Sequence, residues 1–158
     1  MIVIADTSPV RYLILLGHAE LLPKLYGSVV VPAAVCAELS SDGSPETVRI
    51  FCSNRPQWLE IKVLSRPVSS SLLELLDPGE SEAIELAEEI GADLLLIDER
   101  RGRGVAESRG LDYTGTLGVL RSASDRGWIN LSEAVEGLDQ ANFYFSAELR
   151  RRILGEIE

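Results

Sequence analysis

Apolar residues recur along this chain with two periods, and the switching between them predicts a succession of short strands and helices. Ile2 to Ala5 is a β-branched run of strand character, and the nearly all-apolar segment Val10 to Leu16 reads as a buried helix. A second amphipathic helix spans Ala19 to Tyr26 and closes at Gly27. Val29 to Val31 is the next strand, and Pro32 opens the helix after it. Glu46 to Cys52 is a further helix, Trp58 to Leu64 alternates as an extra or edge strand, and Arg66 to Ser71 is a polar connection.

The most informative stretch runs from Asp77 to Arg103. Asp77-Pro78-Gly79-Glu80 combines a capping Asp, a first-turn Pro and a Glu three residues after the cap. Ala83, Ile84, Ala87 and Ile90 follow as an apolar stripe. At about 100° per residue, Glu80 falls on that stripe while Glu82, Glu85 and Glu89 point away from it. Gly91 ends the helix, and Leu94 to Ile97 is a continuous apolar run, the mark of a strand covered on both faces. Asp98 stands at the carboxyl end of that strand. Helices are expected at Arg100 to Arg109, through Ser124 after the lead-in Thr114 to Gly118 and ending at Gly127, at Leu131 to Leu138 and at Ser146 to Ile157, with a strand at Leu111 to Tyr113. Strands alternating with helices imply an α/β fold with a mostly parallel central sheet and helices on both faces.

Composition narrows the function classes. In 158 residues, 46% of them apolar, no segment approaches the roughly 18 apolar residues of a membrane span. Met1 leads straight into a strand-like run, so no signal peptide is expected, and Cys36 and Cys52 form no metal-type or scaffold pattern. The expectation is a cytoplasmic protein with reduced thiols and no membrane contact. A net charge of −10, with 25 acidic against 15 basic residues, argues against broad coating of nucleic acid. The arginines are clustered, however, at Arg100, Arg101 and Arg103 and again at Arg150, Arg151 and Arg152.

Candidate chemistry centres on acids at strand-to-helix junctions, which is where open α/β sheets hold ligands. Asp6 ends the first strand and reads either as a helix cap or as a cleft carboxylate. Glu38 lies at the margin of the face shared by Val35 and Leu39, the ordinary position of a solvated residue. Glu80 and Asp98 complete the set. Carboxylates crowded into one cleft repel unless a cation intervenes, and oxygen-only ligands select a hard ion such as Mg²⁺ or Mn²⁺. Such ions activate water toward phosphodiesters, and nearby arginines can hold phosphates. Thr114-Gly115-Thr116-Leu117-Gly118 is no Walker loop, and Thr116 reads as a phosphate contact or a cap. His18 reads as structural. Phe143, Tyr144 and Phe145 read as a docking or partner contact rather than a nucleotide-stacking platform.

In combination, five segments resemble the PIN-domain family, and most closely its DUF3368 branch. They are Ile2-Val-Ile-Ala-Asp-Thr-Ser-Pro9, Val31-Pro-Ala-Ala-Val-Cys-Ala-Glu-Leu39, Leu76-Asp-Pro-Gly-Glu-Ser-Glu-Ala-Ile84, Ala92-Asp-Leu-Leu-Leu-Ile-Asp-Glu-Arg-Arg-Gly-Arg103 and Thr114-Gly-Thr-Leu-Gly-Val-Leu120. The resemblance implies a PIN-like three-layer α/β/α sandwich occupying residues 1–158 as one domain, with a core over 1–130 and a C-terminal helical extension over 131–158. It implies a metal-dependent ribonuclease, often the toxin of a toxin–antitoxin pair and often a homodimer, with RNA as substrate and a small antitoxin protein as partner. The family's four acidic positions map onto Asp6, Glu38, Glu80 and Asp98, with Ser8 or Thr7 as the hydroxyl beside the first. Most PIN domains carry Asp at the third position, where this chain offers Glu80, with Glu82 in reserve. Glu99 is a further candidate for the metal shell, and Ser8, Arg100, Arg101, Arg103, Thr114 and Thr116 are candidates for substrate binding. The alternatives are a non-catalytic binding module on the same fold, or phosphoryl transfer through an aspartyl phosphate. Against the latter, Asp6-Thr7-Ser8 lacks the Asp-x-Asp spacing of such hydrolases.

Overall fold

The computed structural model describes residues 1–155. In chain order the elements are β1 (Val3–Ala5), α1 (Thr7–Leu15), α2 (Leu21–Tyr26), β2 (Val29–Pro32), α3 (Ala33–Leu39), α4 (Glu46–Ser53), β3 (Leu59–Lys62) and α5 (Ser70–Leu75). They continue with α6 (Pro78–Ile90), β4 (Leu94–Leu96), α7 (Arg100–Ser108), β5 (Tyr113–Thr114), α8 (Thr116–Asp125), α9 (Leu131–Gln140) and α10 (Ala147–Gly155). The strands form one parallel sheet in the order β3-β2-β1-β4-β5. The chain therefore starts in the middle, builds outward through β2 and β3, and crosses to the other side of β1 with β4. Where the order reverses, between β1 and β4, the connections leave in opposite directions and open a crevice beyond the carboxyl ends.

Strand residues alternate between two apolar layers, as the pleat requires. Val3, Ala5, Val29, Val31 and Leu96 face a layer built with Val10, Leu13, Val35, Val119 and Leu120. Ile4, Val30, Leu95 and Ile97 face the other, built with Leu72, Ile84, Leu86, Ala87 and Ala106. Helices thus cover both faces, and the expected three-layer α/β/α sandwich is the observed architecture. From α9, Leu131, Ala134, Val135 and Leu138 join the first layer, so this part of the C-terminal extension is core.

Several boundaries differ from the pattern-based expectation. Helix α1 starts at Thr7 rather than Val10, because Pro9 falls in the first turn, where no backbone N–H is needed. The polar connection expected through Ser71 ends earlier: Ser70 and Ser71 open α5, which buries Leu72. Strand β5 is Tyr113–Thr114 rather than 111–113, its register fixed by pairing to Leu95 and Leu96. Helix α10 is described over Ala147–Gly155, and the end expected at Ile157 lies outside the described residues. Among the described residues, no helix is long and apolar enough to cross a membrane.

One contact between helices sets the position of α3. The backbone N–H of Ala34, in the first turn of α3, donates to Glu82 Oε1 on α6 at 3.1 Å. Neither Pro32 at the N-cap position nor any acid in that first turn supplies this charge locally. Glu82, held in reserve as a metal ligand, is instead engaged at a helix terminus, where an anion is favoured. Replacing it by Ala is expected to lower stability by about 1 kcal/mol. The check is urea unfolding, with a lower midpoint and an unchanged slope.

Candidate functional site

Asp6 sits at the N-cap position of α1, yet its side chain makes no capping bond. Its backbone N–H continues the sheet by donating to Leu96 O at 2.9 Å, and only 4% of the residue is exposed. Of the two readings open for Asp6, the cap is therefore not the one observed. The next two residues reach outward to other acids. Thr7 Oγ1 donates to Glu38 Oε2 at 2.6 Å, and Ser8 Oγ donates to Asp98 Oδ2 at 2.8 Å. Both hydroxyls flanking the first Asp are thus used.

Asp98 is held from a second direction as well. The backbone N–H of Thr116 donates to Asp98 Oδ1 at 2.6 Å, and Thr116 Oγ1 donates to Asp98 Oδ2 at 2.7 Å. Thr116 is the first residue of α8 and not its cap; Gly115 takes that position, and Asp98 supplies the capping carboxylate from β4. A Cβ at residue 115 would stand 2.6 Å from Asp98 Oδ1 and 3.3 Å from Ile97 O. Only glycine admits this approach.

At position 79 the approach is close as well, though less severe. A Cβ there would meet Glu38 Oε2 at 3.0 Å, Asp6 Oδ1 at 3.4 Å and Asp77 Oδ1 at 3.5 Å. Carboxylates from β1, α3 and the start of α6 therefore converge on one point, where the backbone leaves them room. Asp6, Glu38, Asp77 and Asp98 line a cleft of about 610 Å³ together with Ser8, Glu99 and Arg100.

Glu80 occupies a different position from the other three predicted acids. It forms a reciprocal capping box with Asp77: Glu80 N donates to Asp77 Oδ1 at 2.8 Å and Asp77 N donates to Glu80 Oε1 at 3.4 Å. Its other oxygen, Oε2, is buried with no hydrogen-bond partner and lies 3.0 Å from where a Cβ on Gly102 would be. Glu80 lines an adjoining depression, shared with Asp77, Glu99 and Arg100, and not the cleft itself. Asp77, read from sequence only as a cap, is the acid of this segment that lines the cleft. No separate sequence signal marked it, because its capping role already accounted for its identity.

The remaining candidates are spread out. Arg101 donates weakly to Leu75 O at 3.4 Å, and Arg103 lies over the Tyr113 ring at 5.0 Å. Thr114 and Arg103 line a neighbouring cavity rather than the acidic cleft. Sequence reasoning missed Arg11, Tyr12 and Asn142, all of which line the cleft. Arg11 and Tyr12 were hidden inside an apolar helical run; Asn142 announces itself only through its left-handed backbone, φ 63°.

Electrostatics follow from this crowding. Burial pushes the Asp6 carboxyl up to about 7, and repulsion from Asp77, Glu38 and Asp98 adds to it, against the opposing hydrogen bond from the Thr7 backbone. Glu80 is raised too, first by removal from water and then by Asp77 and Asp6. Among the described residues, no three carboxylate, imidazole or thiol groups stand in a ready-made metal cage. The donor set nevertheless fits a hard divalent ion: it is all oxygen, and the mutual repulsion that helps raise Asp6 is what a bound cation would relieve. The hydroxyls of Thr7, Ser8 and Thr116 hold Glu38 and Asp98 by bonds that a cation can replace.

Both raised acids bind protons more tightly in the folded than in the unfolded chain. Their burial thus destabilises increasingly as pH rises above about 4, levelling off above the folded values, about 7 for Asp6 and about 8 for Glu80. Asp6→Asn, which never ionises, is expected to gain on the wild type by roughly 2–3 kcal/mol between pH 5 and pH 8. Urea unfolding without divalent ions measures the difference, and an advantage that does not change with pH would contradict the burial argument.

The family model DUF3368, a PIN domain, matches residues 2–158. No curated protein matches the chain. Among solved structures, a PilT N-terminus domain protein from the hyperthermophilic archaeon Sulfolobus solfataricus P2 is similar, with a TM-score of 0.57 and 18% sequence identity. The similarity covers 78% of this chain and 93% of that one, and at this identity it speaks for the fold. With the five-stranded parallel sheet and a family match over almost its whole length, the chain belongs to the DUF3368 family of PIN domains.

Proposed function

We propose that this protein is a Mg²⁺- or Mn²⁺-dependent endoribonuclease. PIN domains are generally nucleases, and the observation that carries the reading here is the convergence of Asp6, Glu38 and Asp77 on Gly79, with Asp98 on the same cleft. Asp6, Glu38, Asp77 and Asp98 would hold the ion. Glu80 stands behind them as a buried acid coupled to Asp6 and Asp77, and Glu99 stands exposed on the cleft wall. A bound divalent ion supplies an acidified water and neutralises charge on a phosphodiester.

The chain's own residues do the positioning. Thr7 orients Glu38, while Ser8 and Thr116 fix Asp98 from two sides, so neither carboxylate is free to rotate away. Arg11 and Arg100 are the positive groups of the cleft and would take the phosphate of an RNA strand. Without them, a wall of carboxylates would repel the substrate.

A small antitoxin protein as inhibitor, a homodimer and a cytoplasmic location belong to the same reading and rest on the family resemblance. The alternative is a non-catalytic PIN-fold module that binds RNA or a protein partner. It is favoured by the three hydrogen bonds that Asp98 already accepts. Wild-type protein is expected to cut a panel of RNAs when Mg²⁺ or Mn²⁺ is added and to stop in EDTA. Asp6→Asn and Asp98→Asn, shown to be folded by circular dichroism, should each lower kcat/KM by roughly 10²–10³-fold. No cleavage by wild type with either ion would favour the non-catalytic module.

A further inference from the structure

Beside the acidic cleft lies a second cavity of about 340 Å³, within the size range of small-ligand sites (about 300–1,000 Å³). The two share Asp98, Phe143 and Tyr144 as a common wall, so whatever occupies one borders the other. Its character is opposite. Arg103 from α7, Arg121 from α8 and Arg152 from α10 line it, and Asp98 is the one acid among the described residues that does. In a chain of net charge −10, three arginines from three elements around one cavity form a local cationic site. Arg121 is steadied from outside the cavity by Asp125 at 3.4 Å.

The shared wall is aromatic, and its middle member is exposed. Phe143 is fixed edge-on against Tyr12 at 4.8 Å and lies 5.8 Å from Phe145, while Arg150 sits over Phe145 at 4.9 Å. Tyr144 between them is 87% exposed. The left-handed turn at Asn142 thus leads into a strip whose flanking rings are packed and whose central ring is free. Folding alone gives no reason to leave a large ring in water at the junction of two cavities.

We propose that this cavity and Tyr144 form a subsite for single-stranded RNA, holding a nucleotide that flanks the phosphate presented to the acidic cleft. The inference rests on the ribonuclease reading and extends it to the substrate's form. RNA alternates phosphates with flat bases, which matches guanidinium groups set beside a free aromatic ring. A base can reach Tyr144 only when unpaired, which selects single strands over duplex. The strip read from sequence as a partner contact is, on this geometry, the stacking platform.

The test is fluorescence anisotropy on the full chain in EDTA, with an end-labelled 12-nucleotide single-stranded RNA. Tyr144→Ala should weaken binding about tenfold, and Tyr144→Phe, which keeps the ring, should stay within about twofold of wild type. Because Tyr144 is exposed, its truncation leaves the core untouched. Arg152→Ala should weaken binding and reduce the slope of log Kd against log salt by about 0.7, the value for one phosphate contact on a single strand. Arg126→Ala, on a residue outside the cavity, should change neither. The proposal is overturned if Tyr144→Ala and Arg152→Ala bind like wild type, or if an RNA duplex of the same length binds as tightly. It is also overturned if polyglutamate displaces the RNA and binds independently of Tyr144, which would mark a protein-binding site. Since no divalent ion is present, the result is independent of cleavage. Binding that depends on Tyr144 without any cleavage activity would sink the ribonuclease reading alone, whereas cleavage with binding indifferent to Tyr144 would sink the subsite alone.

Discussion

Parallel pairing of β1 with β4 fixes where the carboxylates of this protein stand. The register sets Ala5 opposite Leu96, and the Asp6 N–H closes on Leu96 O, so both strands end at the same height. Asp6 and Asp98 leave the sheet at the point where strand order reverses, and helices diverge on either side of them. Because Ile4 and Leu95 face one apolar layer while Ala5 and Leu96 face the other, a slip of one residue would send core side chains to the wrong face. The hydrophobic layers thereby fix the location of a polar site that they touch only at its rim, through Tyr12 and Phe143.

That location is electrostatically unfavourable, and the surrounding structure moderates the repulsion without cancelling it. Glu38 is steadied by the Thr7 hydroxyl, and Asp98 by the hydroxyls of Ser8 and Thr116 and the amino end of α8. Asp6 has only the Thr7 backbone in its favour and is buried against three other acids. Glu80 keeps one oxygen unpaired in the interior. A core selected for stability alone would replace such groups with apolar ones, since burying an unpaired carboxylate costs several kcal/mol. Perturbed acids gathered in one cleft are the usual sign of a site whose chemistry requires them. Gly79 and Gly115 point the same way, because a Cβ would crowd the carboxylates of Glu38 and Asp6 at the first and that of Asp98 at the second.

How much of this was legible in the sequence depended on whether each residue's role was local. The apolar strand runs at the sheet centre, the Asp77–Glu80 capping box and the Gly91 stop are local signals that match observed elements, whereas the two-residue β5 is placed by its pairing. Glu80 was read as inward-facing from the stripe alone, and it is buried. What the stripe could not reveal is that inward means behind the cleft, since that depends on how α7 approaches at Gly102. Asp77 was obscured by its own good explanation: a residue that caps a helix looks accounted for. Glu82 looked solvent-facing because its partner, the start of α3, is forty-eight residues away in sequence. Helix α5 is only six residues long, too short for periodicity to separate it from a polar loop. Thr116 carried a correct signal for a helix start, yet its partner was an acid on another strand.

The net charge of −10 and a polyanionic substrate are compatible because charge acts locally. At physiological salt the screening length is about 8 Å, so distant surface acids contribute little to the field felt at the cleft. What counts there is the immediate lining, and the lining is divided by element. Carboxylates come from β1, α3, the start of α6 and the end of β4; the arginines of the adjoining cavity come from α7, α8 and α10. Under the proposed reading, Arg11 and Arg100 hold the phosphate at the cleft, the adjoining cavity adds affinity for the flanking nucleotide, and chemistry stands at the ends of the central strands. Cleft and cavity are joined through Asp98, Phe143 and Tyr144, which line both. Among the described residues, helix α10 meets the cleft acids only at Asp98, which lines the adjoining cavity with Leu149, Arg152 and Ile153, whereas Asp6, Glu38 and Asp77 line the cleft and not that cavity. On that reading, a centre positioned by the sheet leaves recognition free to vary at the periphery.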